Sequence, residues 1–263
     1  MLRAFVVMAV GTVLTLAMIP FQAIALLVKG RAQRRFPIFY PRLLCRLLGV
    51  RVRVSGSPLR GHPLLVVSNH TSWIDIPVIA SVHPVVFVAK SEVASWPVIG
   101  LLARLQGTVF VERRRRHQTG EANAQIARHL AVGDAVVLFA EGTSSDGNRV
   151  LAFRSALVGA ARDALAAVEH GGSVFIQPLS IAYVGFQGLP MGRQNRPLTA
   201  WYGDMDLFPH LLRVIRQGAL DVRVTWGEPI VYAADADRKT IANALEATVR
   251  QITATALRMP LAS

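Results

Sequence analysis

The chain has 263 residues and a formal net charge of +13; 52% of its residues are hydrophobic and 17% are charged. A composition that is both apolar and basic indicates an anionic membrane surface first and nucleic acid second. Cys45 is the only cysteine, so an intrachain disulfide and a cysteine-based zinc site are excluded.

The N-terminal segment is predicted to associate with a membrane. No residue from Ala4 to Val28 is charged, and a helix of this length is roughly sufficient to cross a hydrocarbon core of about 30 Å. Arg3 precedes the segment and basic residues follow from Lys29 onward. This asymmetry predicts that the rest of the chain lies on the cytoplasmic side of the inner membrane. A cleaved signal peptide is the less favoured alternative. Because Pro20 interrupts the segment, a helical hairpin resting in one leaflet is another.

The stretch from Phe39 to Val50 is apolar and carries Arg42 and Arg46, four residues apart. It is consistent with an interfacial amphipathic helix whose arginines contact lipid phosphates. It is equally consistent with a core helix that exposes two arginines. Both interpretations stay open, and the segment is grouped with the preceding one as a membrane-anchoring region, residues 1–50.

Beyond residue 50, short apolar segments alternate with helical patterns. The predicted strands are Val52–Val54, Leu64–Val67, Val85–Ala89, Thr108–Val111, Ala135–Phe139, Val174–Ile181, Leu198–Trp201 and Val222–Trp226. They are rich in aliphatic residues and phenylalanine, as expected for strands buried on both faces. One helix is predicted from an N-cap at Thr119 to a stop at Gly133, and another after Asp237. We therefore predict that residues 51–263 form an α/β domain with a central, mostly parallel sheet flanked by helices, preceded by a membrane-associated helical segment.

The first candidate for catalytic chemistry is VVSNHTSWIDI, residues 66–76, where an apolar strand runs into a polar turn. His70 is suited to act as a general base because an imidazole titrates near neutral pH. Asp75 can reach the far ring nitrogen from the next helical turn and hold the imidazole in one tautomer. The alternative is a helix start in which Thr71 or Ser72 is the N-cap and Asp75 stabilises the first turn.

Three further polar segments coincide with predicted strands. In GTVFVERRRR, residues 107–116, Arg113 lies nearest the strand and is the better candidate ligand for phosphate or carboxylate; the later arginines are better explained as a solvated or lipid-facing charge run. In LFAEGTSSDGN, residues 138–148, Glu141 lies where such sheets usually bind ligands, although a surface turn also explains the sequence. In FIQPLSIAY, residues 175–183, the proline indicates an edge, a bulge or a pocket wall.

The order and spacing of these segments resemble the glycerolipid acyltransferase family, of the lysophosphatidic acid acyltransferase type. The resemblance rests on four family motifs and on a lysine-glutamate-proline-glycine segment between the first and the second. In chain order the corresponding sequences are NHTSWID (69–75), KSEVASWPVIG (90–100), GTVFVER (107–113), FAEGTSS (139–145) and QPL (177–179).

The resemblance implies a membrane-bound O-acyltransferase that moves a fatty acyl group from an acyl thioester to the free hydroxyl of a lysolipid. It implies that His70, oriented by Asp75, removes the hydroxyl proton so that the oxygen attacks the thioester without an acyl-enzyme. The implied donor is a thioester of acyl carrier protein or of coenzyme A, with no other cofactor and no metal. The residues implied in acceptor binding are Lys90, Arg113, Glu141, Gly142 and Thr143.

Two departures from the family's third motif bear on the acceptor. The family usually has proline and arginine where this chain has Ala140 and Ser144, and loss of the arginine removes a planar, permanent charge suited to phosphate. The sequence EGTSSDGNRVLAFRSAL looks more like the branch that acylates lyso-ornithine lipid, whose head group carries a carboxylate and an amine. We therefore expect lyso-ornithine lipid as acceptor. Lysophosphatidic acid, or use of both, is the alternative because Lys90 and Arg113 are present.

The sequence disfavours other functional classes. Aromatic residues make up only 7% and do not interleave with basic ones, so no nucleic-acid partner is expected. There is no G-x-S-x-G sequence for a serine hydrolase and no H-E-x-x-H sequence for a metal hydrolase. Cys45 lies in an apolar helical pattern, which favours a buried, inert thiol over a nucleophile. Membrane lipids and the acyl carrier are the expected partners.

Overall fold

The structure, a computed structural model, describes residues 2–28, 31–112, 116–156, 174–232, 237–259 and 261. The described helices are α1 (Leu2–Val28), α2 (Arg31–Leu48), α3 (Asp75–Val82), α4 (Ile99–Leu105), α5 (Arg116–Ala131), α6 (Leu207–Gln217) and α7 (Arg238–Arg258). The strands are β1 (Val50–Ser55), β2 (Leu64–Ser68), β3 (Val85–Lys90), β4 (Val109–Val111), β5 (Ala135–Phe139), β6 (Val174–Phe186), β7 (Leu189–Pro190), β8 (Leu220–Trp226) and β9 (Ile230–Tyr232). Short 3-10 helices cover Ser91–Ser95 and Arg196–Leu198.

The strands form one mixed sheet in the order β1-β8-β6-β2-β5-β3-β4, with β7 and β9 paired to β6. Strands β6, β2, β5, β3 and β4 are parallel to one another. Strand β8 is antiparallel to β6, and β1 is parallel to β8. We call β2, β5, β3 and β4 the parallel half of the sheet. The antiparallel half is β8, β1 and residues 179–186 of β6. The predicted α/β fold with a mostly parallel central sheet is confirmed.

Helices cover both faces of the sheet, which explains why its central strands are mostly apolar. Every residue of β2 and β5 is buried. Val66 and Val137 belong to the hydrophobic cluster that α2, α3 and α6 complete, whereas Leu65 and Val136 belong to the cluster that α5 and α7 complete. Each fully buried aliphatic side chain contributes roughly 1.5–3 kcal/mol. The two layers therefore fix β2 and β5, and with them the loops at the carboxyl ends of these strands.

Pro178 lies inside β6 where this strand changes its antiparallel partner. Residues 174–176 pair with β9 and residues 179–186 pair with β8. The Pro178 carbonyl accepts a hydrogen bond from Gly227 N at 2.8 Å, in the connection between those two strands. The N and C=O of one strand residue point to the same side of the strand, so the nitrogen of Pro178 also faces this connection. Its missing N–H therefore removes no hydrogen bond between paired strands.

The predicted strand Leu198–Trp201 is wrong. Residues 196–198 form a 3-10 helix, and Thr199 donates to the Arg196 carbonyl from both its backbone N (3.0 Å) and its hydroxyl (2.9 Å). Pro197 at the start of this turn has a suitable fixed φ and lacks the N–H that a strand ladder would need. Strands β7 and β9 have no counterpart among the predicted strands because they are only two and three residues long.

The two predicted helices are confirmed, with a shift at one end. Helix α5 begins at Arg116, three residues before the predicted N-cap, and ends at Ala131. Gly133 follows with a φ of +80°, as expected for a residue that stops a helix. Helix α7 begins after Asp237, whose carboxylate accepts a hydrogen bond from Thr240 N at 2.8 Å as an N-cap.

Helices α1 and α2 form an antiparallel hairpin. By length and composition, residues 2–24 of α1 are sufficient to cross a membrane, and α1 continues through Pro20 without a break. The hydroxyls of Thr15 and Tyr40 are 2.9 Å apart across the hairpin. Cys45 and Leu48 of α2 are buried in the core. Residues 39–50 therefore include a core helix.

Both ends of α1 contact the α/β domain. The Arg3 guanidinium donates to the carbonyls of Ile215 and Leu48, and Gln22 Nε2 donates to the Leu105 carbonyl at 2.9 Å. The surface of α1 between these contacts is apolar and exposed, and its large exposed side chains include Phe5, Val6, Val10, Val13, Leu16 and Phe21. The division into residues 1–50 and 51–263 stays a prediction.

Candidate active site

The candidate site lies at the carboxyl edge of the parallel half of the sheet. His70 follows β2, Glu141 follows β5 and Lys90 is the last residue of β3. These strands are adjacent in the sheet and parallel, so their carboxyl ends open on the same edge. This edge is where α/β sheets usually bind ligands.

The structure brings His70 and Asp75 together. His70 Nδ1 lies 2.8 Å from Asp75 Oδ2. The same carboxylate oxygen accepts hydrogen bonds from Thr71 N at 2.7 Å and Ser72 N at 3.0 Å. Asp75 is buried and is the first residue of α3, where backbone N–H groups favour a negative charge. It therefore serves both interpretations of the motif, because it stabilises the helix start and holds the imidazole.

Tyr183 completes the surroundings of Asp75. Its hydroxyl donates to Asp75 Oδ1 at 2.6 Å, so both carboxylate oxygens are occupied. Burial, and then the charge of Asp75, raise the pKa of the Tyr183 phenol well above its ordinary value, which keeps it a donor. The sequence did not reveal this residue: it lies in the apolar strand β6, 108 residues beyond Asp75, and its aromatic side chain reads as core.

The His70 ring is held on its face as well as at its edge. It stacks on Phe139, the last residue of β5, with ring centroids 4.0 Å apart and planes inclined by 20°. Phe87 of β3 lies behind Phe139 in a second stack at 6.2 Å. The side chain of His70 is 19% exposed, and among the described residues no hydrogen-bond partner occupies Nε2. One ring nitrogen is thus fixed by Asp75 and the other is accessible.

Glu141 connects two loops through their backbones. Its Oε1 accepts a hydrogen bond from His70 N at 2.9 Å, and its Oε2 accepts one from Leu151 N at 3.1 Å. The side chain is only 2% exposed, and burial raises its pKa to about 8. Of the predicted acceptor residues, Glu141 is thus engaged by the backbone of the two loops that it joins.

The loop after β5 packs against the turn that carries His70. Gly142 begins this loop with a φ of +70°, a conformation that favours glycine. Ser145 N donates to the His70 carbonyl at 2.9 Å. The Ser144 hydroxyl donates to the Trp201 carbonyl, and Trp201 N donates to the Thr71 carbonyl at 2.9 Å. The position of the family's missing arginine is thus engaged in holding three segments together.

Of the remaining predicted acceptor residues, two are exposed at the surface and one lies outside the described residues. Lys90 and Thr143 are exposed. Trp96, from the segment that begins at Lys90, meets Trp201 edge to face with ring centroids 6.0 Å apart. Arg113 lies outside the described residues, so its role stays a prediction.

Two amide side chains of the motifs are structural. Asn69 forms a pair of 2.9 Å hydrogen bonds with the N and O of Ile181, which fixes the motif turn to β6. Gln177 accepts from Leu59 N at 3.0 Å and donates to the carbonyls of Ser57 and Gly227 at 3.0 and 2.8 Å. The Asn69 amide fixes the turn that carries His70, and the Gln177 amide fixes β6 to the segments that precede β2 and follow β8.

This geometry is suited to removing a proton from a bound group. An imidazole with one nitrogen held by a buried carboxylate and the other accessible is the base of a catalytic triad without its serine. Such a pair can activate a hydroxyl that the substrate provides.

Comparisons with known proteins agree with this chemistry. A family model described as Acyltransferase matches residues 51–182. The chain is 50% identical over 258 residues to a lyso-ornithine lipid O-acyltransferase of Brucella abortus, covering 97% of this chain and 96% of the relative. It is 48% identical over 244 residues to a protein of the same name from Rhizobium meliloti, covering 93% and 83%.

More distant relatives carry other names. The chain is 31% identical over 201 residues to a 1-acyl-sn-glycerol-3-phosphate acyltransferase of Neisseria meningitidis, covering 76% of this chain and 73% of the relative. A crystal structure of a 1-acyl-sn-glycerophosphate acyltransferase from Thermotoga maritima matches with a TM-score of 0.70 at 21% identity, covering 99% and 97%. This match confirms the fold. The family model and the near relatives show that the chain belongs to the glycerolipid acyltransferase family and is a lysolipid O-acyltransferase of lipid biosynthesis.

Proposed function

We propose that this enzyme transfers a fatty acyl group from an acyl thioester to the free hydroxyl of lyso-ornithine lipid. The observation that carries the proposal is the His70–Asp75 pair, in which a 2.8 Å hydrogen bond orients the ring and leaves Nε2 accessible. The acceptor is supported by the names of relatives that are 50% and 48% identical. It is also supported by Ser144, which stands where the family's phosphate-suited arginine is expected.

In the proposed reaction, His70 Nε2 accepts the proton of the acceptor hydroxyl. The oxygen of that hydroxyl attacks the carbonyl carbon of the thioester at the same time. A carbon–oxygen bond forms, and the carbonyl electrons move onto oxygen in a tetrahedral intermediate. The intermediate collapses, the carbon–sulfur bond breaks, and the leaving thiolate takes the proton from the imidazolium. Asp75 stabilises the imidazolium between these steps. The protein provides no covalent nucleophile in this scheme.

The acceptor groups are assigned to the rim of the site. Lys90 and Arg113 are proposed to contact the acceptor's anionic group, and Gly142 and Thr143 to line its path to His70. Lys90 and Thr143 are exposed, which supports this role. Glu141 is assigned an indirect part, because its two oxygens accept hydrogen bonds from backbone N–H groups.

The donor is proposed to be a thioester of acyl carrier protein or of coenzyme A, with no further cofactor and no metal. Both donors present the same thioester carbonyl to His70, so the chemistry is the same for either. Initial rates with the two donors, at matched acyl chain and saturating acceptor, decide between them. Equal values of kcat/KM for the two thioesters would show that the enzyme does not prefer one donor over the other.

We further propose that α1 lies in the cytoplasmic leaflet of the inner membrane. Both of its ends contact the α/β domain, through Arg3 and Gln22, and its exposed surface is apolar. A helix that crossed the bilayer would hold only one end at a domain on one side. Cysteines introduced at the exposed positions Leu2 and Ile24 are expected to react with a membrane-impermeant maleimide in inverted vesicles and not in intact spheroplasts. Reaction of Leu2→Cys in spheroplasts would reject this arrangement.

The activity test is an acyl-transfer assay with purified enzyme, offering lyso-ornithine lipid and lysophosphatidic acid side by side. We expect a higher kcat/KM for lyso-ornithine lipid. Turnover of neither acceptor with either donor would overturn the proposal. Preference for lysophosphatidic acid would favour the second candidate, which the Neisseria relative's name and the exposed Lys90 support.

A further inference from the structure

The head group of the proposed acceptor requires a cation that the third motif does not supply. Ser144 stands at the family's arginine position, and its hydroxyl is occupied by the Trp201 carbonyl. The segment that brings Trp201 to this place also carries Arg196, in the 3-10 helix that replaces the predicted strand. Arg196 therefore reaches the same loop from another part of the chain.

Arg196 is a buried guanidinium that forms no salt bridge among the described residues. It is 9% exposed, and its Nε has no hydrogen-bond partner. Nη1 donates to Asn148 Oδ1 at 3.2 Å. Burial, and then the charge of Arg193, lower the pKa of this guanidinium, and the nearby charge of Asp146 offsets only part of that effect. A buried charge with unused donors is costly unless a ligand satisfies it.

Arg196 lies next to the turn that carries the catalytic base. A Cβ added to Gly147 would be 3.1 Å from Thr71 Cγ2 and 3.6 Å from Arg196 Cβ. Gly147 is thus packed between Arg196 and the residue that follows His70. Arg196 therefore adjoins the turn at which His70 would receive the acceptor hydroxyl.

An acidic side chain lies on the other side of Asn148. Asp146 Oδ2 accepts from Asn148 Nδ2 at 3.4 Å, and Asp146 Oδ1 accepts from Asn148 N at 3.0 Å. The Asn148 amide therefore contacts Arg196 through its oxygen and Asp146 through its nitrogen. It holds two opposite charges near each other without letting them pair.

We infer that Arg196 binds the carboxylate of the acceptor head group and that Asp146 binds its ammonium. This inference rests on the proposed function, because it assigns the residues that recognise an amino-acid head group at the same site. A zwitterion matches both charges, whereas a phosphate monoester meets a cation and a repelling carboxylate together. The pair would thus select the head group by attraction and by exclusion.

The test pairs each protein variant with an acceptor that lacks the matching charge. The acceptors are lyso-ornithine lipid, its carboxylate methyl ester and its N-acetylated side-chain amine. Arg196→Gln is expected to lower kcat/KM for lyso-ornithine lipid roughly 10- to 100-fold, mainly through acceptor KM, the size expected for a lost charge-assisted hydrogen bond. The methyl ester should be used equally by wild type and Arg196→Gln. Asp146→Asn should show the corresponding pattern with the acetylated amine.

Each ratio between two acceptors is measured in one preparation, so partial unfolding of a variant does not alter it. Arg216→Gln, at an exposed position of α6, is the matched control and should leave all ratios unchanged. Equal losses of Arg196→Gln activity on lyso-ornithine lipid and on its methyl ester would overturn the inference and leave the proposed function intact. Absence of wild-type turnover on lyso-ornithine lipid would overturn the proposed function itself, and the inference with it.

Discussion

The two halves of the sheet contribute to the active site at different distances along the chain. In the parallel half, β2, β5 and β3 each end at the site, and His70 and Asp75 are only five residues apart. In the antiparallel half, Tyr183 reaches Asp75 from the middle of β6, across 108 residues of sequence. One half supplies groups from the loops at strand ends, and the other supplies a group from a strand interior.

This difference indicates a division of labour. A loop at a strand end can meet a substrate, so His70 is placed where a proton can be taken. A strand interior is buried and rigid, so Tyr183 can only fix what it contacts. The parallel half should therefore control whether the reaction occurs, and the antiparallel half should control how accurately its base is held.

Replacing His70 by alanine should have the largest effect. We expect the rate of acyl transfer to fall by about 10³-fold, because a positioned base contributes roughly 10²–10⁴-fold. The matched control is His129→Ala, which removes a half-buried histidine with a similar 2.9 Å contact to Asp134. Full activity of His70→Ala, with unfolding temperatures equal to wild type, would contradict the proposed role of the parallel half.

Replacing Tyr183 by phenylalanine tests the antiparallel half. The variant keeps the ring and removes the 2.6 Å hydrogen bond to Asp75, so we expect kcat to fall about 3- to 10-fold. Without the hydrogen bond from the phenol, the negative charge of Asp75 stabilises the His70 imidazolium more strongly. The acidic limb of the pH profile of kcat/KM should therefore move to higher pH, by less than about one unit.

Tyr40→Phe is the matched control for this variant. It removes a tyrosine hydrogen bond of 2.9 Å between α1 and α2 and should leave the pH profile unchanged. A Tyr183→Phe enzyme that is less stable but has the wild-type pH profile would show that Tyr183 is only structural.

Glu141→Gln should alter the pH dependence of stability. The pKa of Glu141 is raised from an ordinary value of 4.5 to about 8, so between these values the folded chain keeps a proton that the unfolded chain has lost. Its contribution to stability therefore falls as pH rises through this window, by up to about 1.4 kcal/mol per pH unit. Thermal unfolding between pH 5 and 8 should show a shallower decline for Glu141→Gln than for wild type. Glu228→Gln, at an exposed site, should behave as wild type, and parallel curves for Glu141→Gln would contradict the prediction.

Ser144→Arg should produce the smallest effect, where the loop of the parallel half meets the segment around Trp201. A guanidinium restored at this position is suited to phosphate, so the ratio of kcat/KM for lysophosphatidic acid to that for lyso-ornithine lipid should rise several-fold. Ser144→Ala separates the added charge from the lost hydrogen bond to Trp201. A ratio that changes equally in both variants would rule out a charge effect.

The same contrast explains what sequence reasoning could find. The strands of the parallel half were predictable because uniform burial on both faces leaves a continuous apolar run, as in β2 and β5. The His70–Asp75 contact was predictable because five residues at a helix start bring the two side chains to one place. Both features depend on residues that are close together in the sequence, so a local pattern is sufficient to predict them.

Contacts between segments far apart in the sequence could not be predicted from a local pattern. Leu198–Trp201 is apolar enough for a strand, yet Pro197 and the hydrogen bonds to the Arg196 carbonyl favour a turn. Tyr183 reads as core, because only the folded sheet places its hydroxyl on a carboxylate. The roles of both segments depend on tertiary neighbours.

The bridge made by Glu141 has a thermodynamic consequence. Because one carboxyl group joins the backbone of His70 to that of Leu151, displacement of either loop strains a hydrogen bond in the other. Any lipid that shifts the loop after β5 therefore changes the energy of the turn bearing His70. By reciprocity, the alignment of that turn changes the affinity for the lipid by the same factor. Binding of such a lipid and the alignment of His70 for proton transfer would then be coupled, and the coupling free energy is RT multiplied by the logarithm of the ratio of two binding constants.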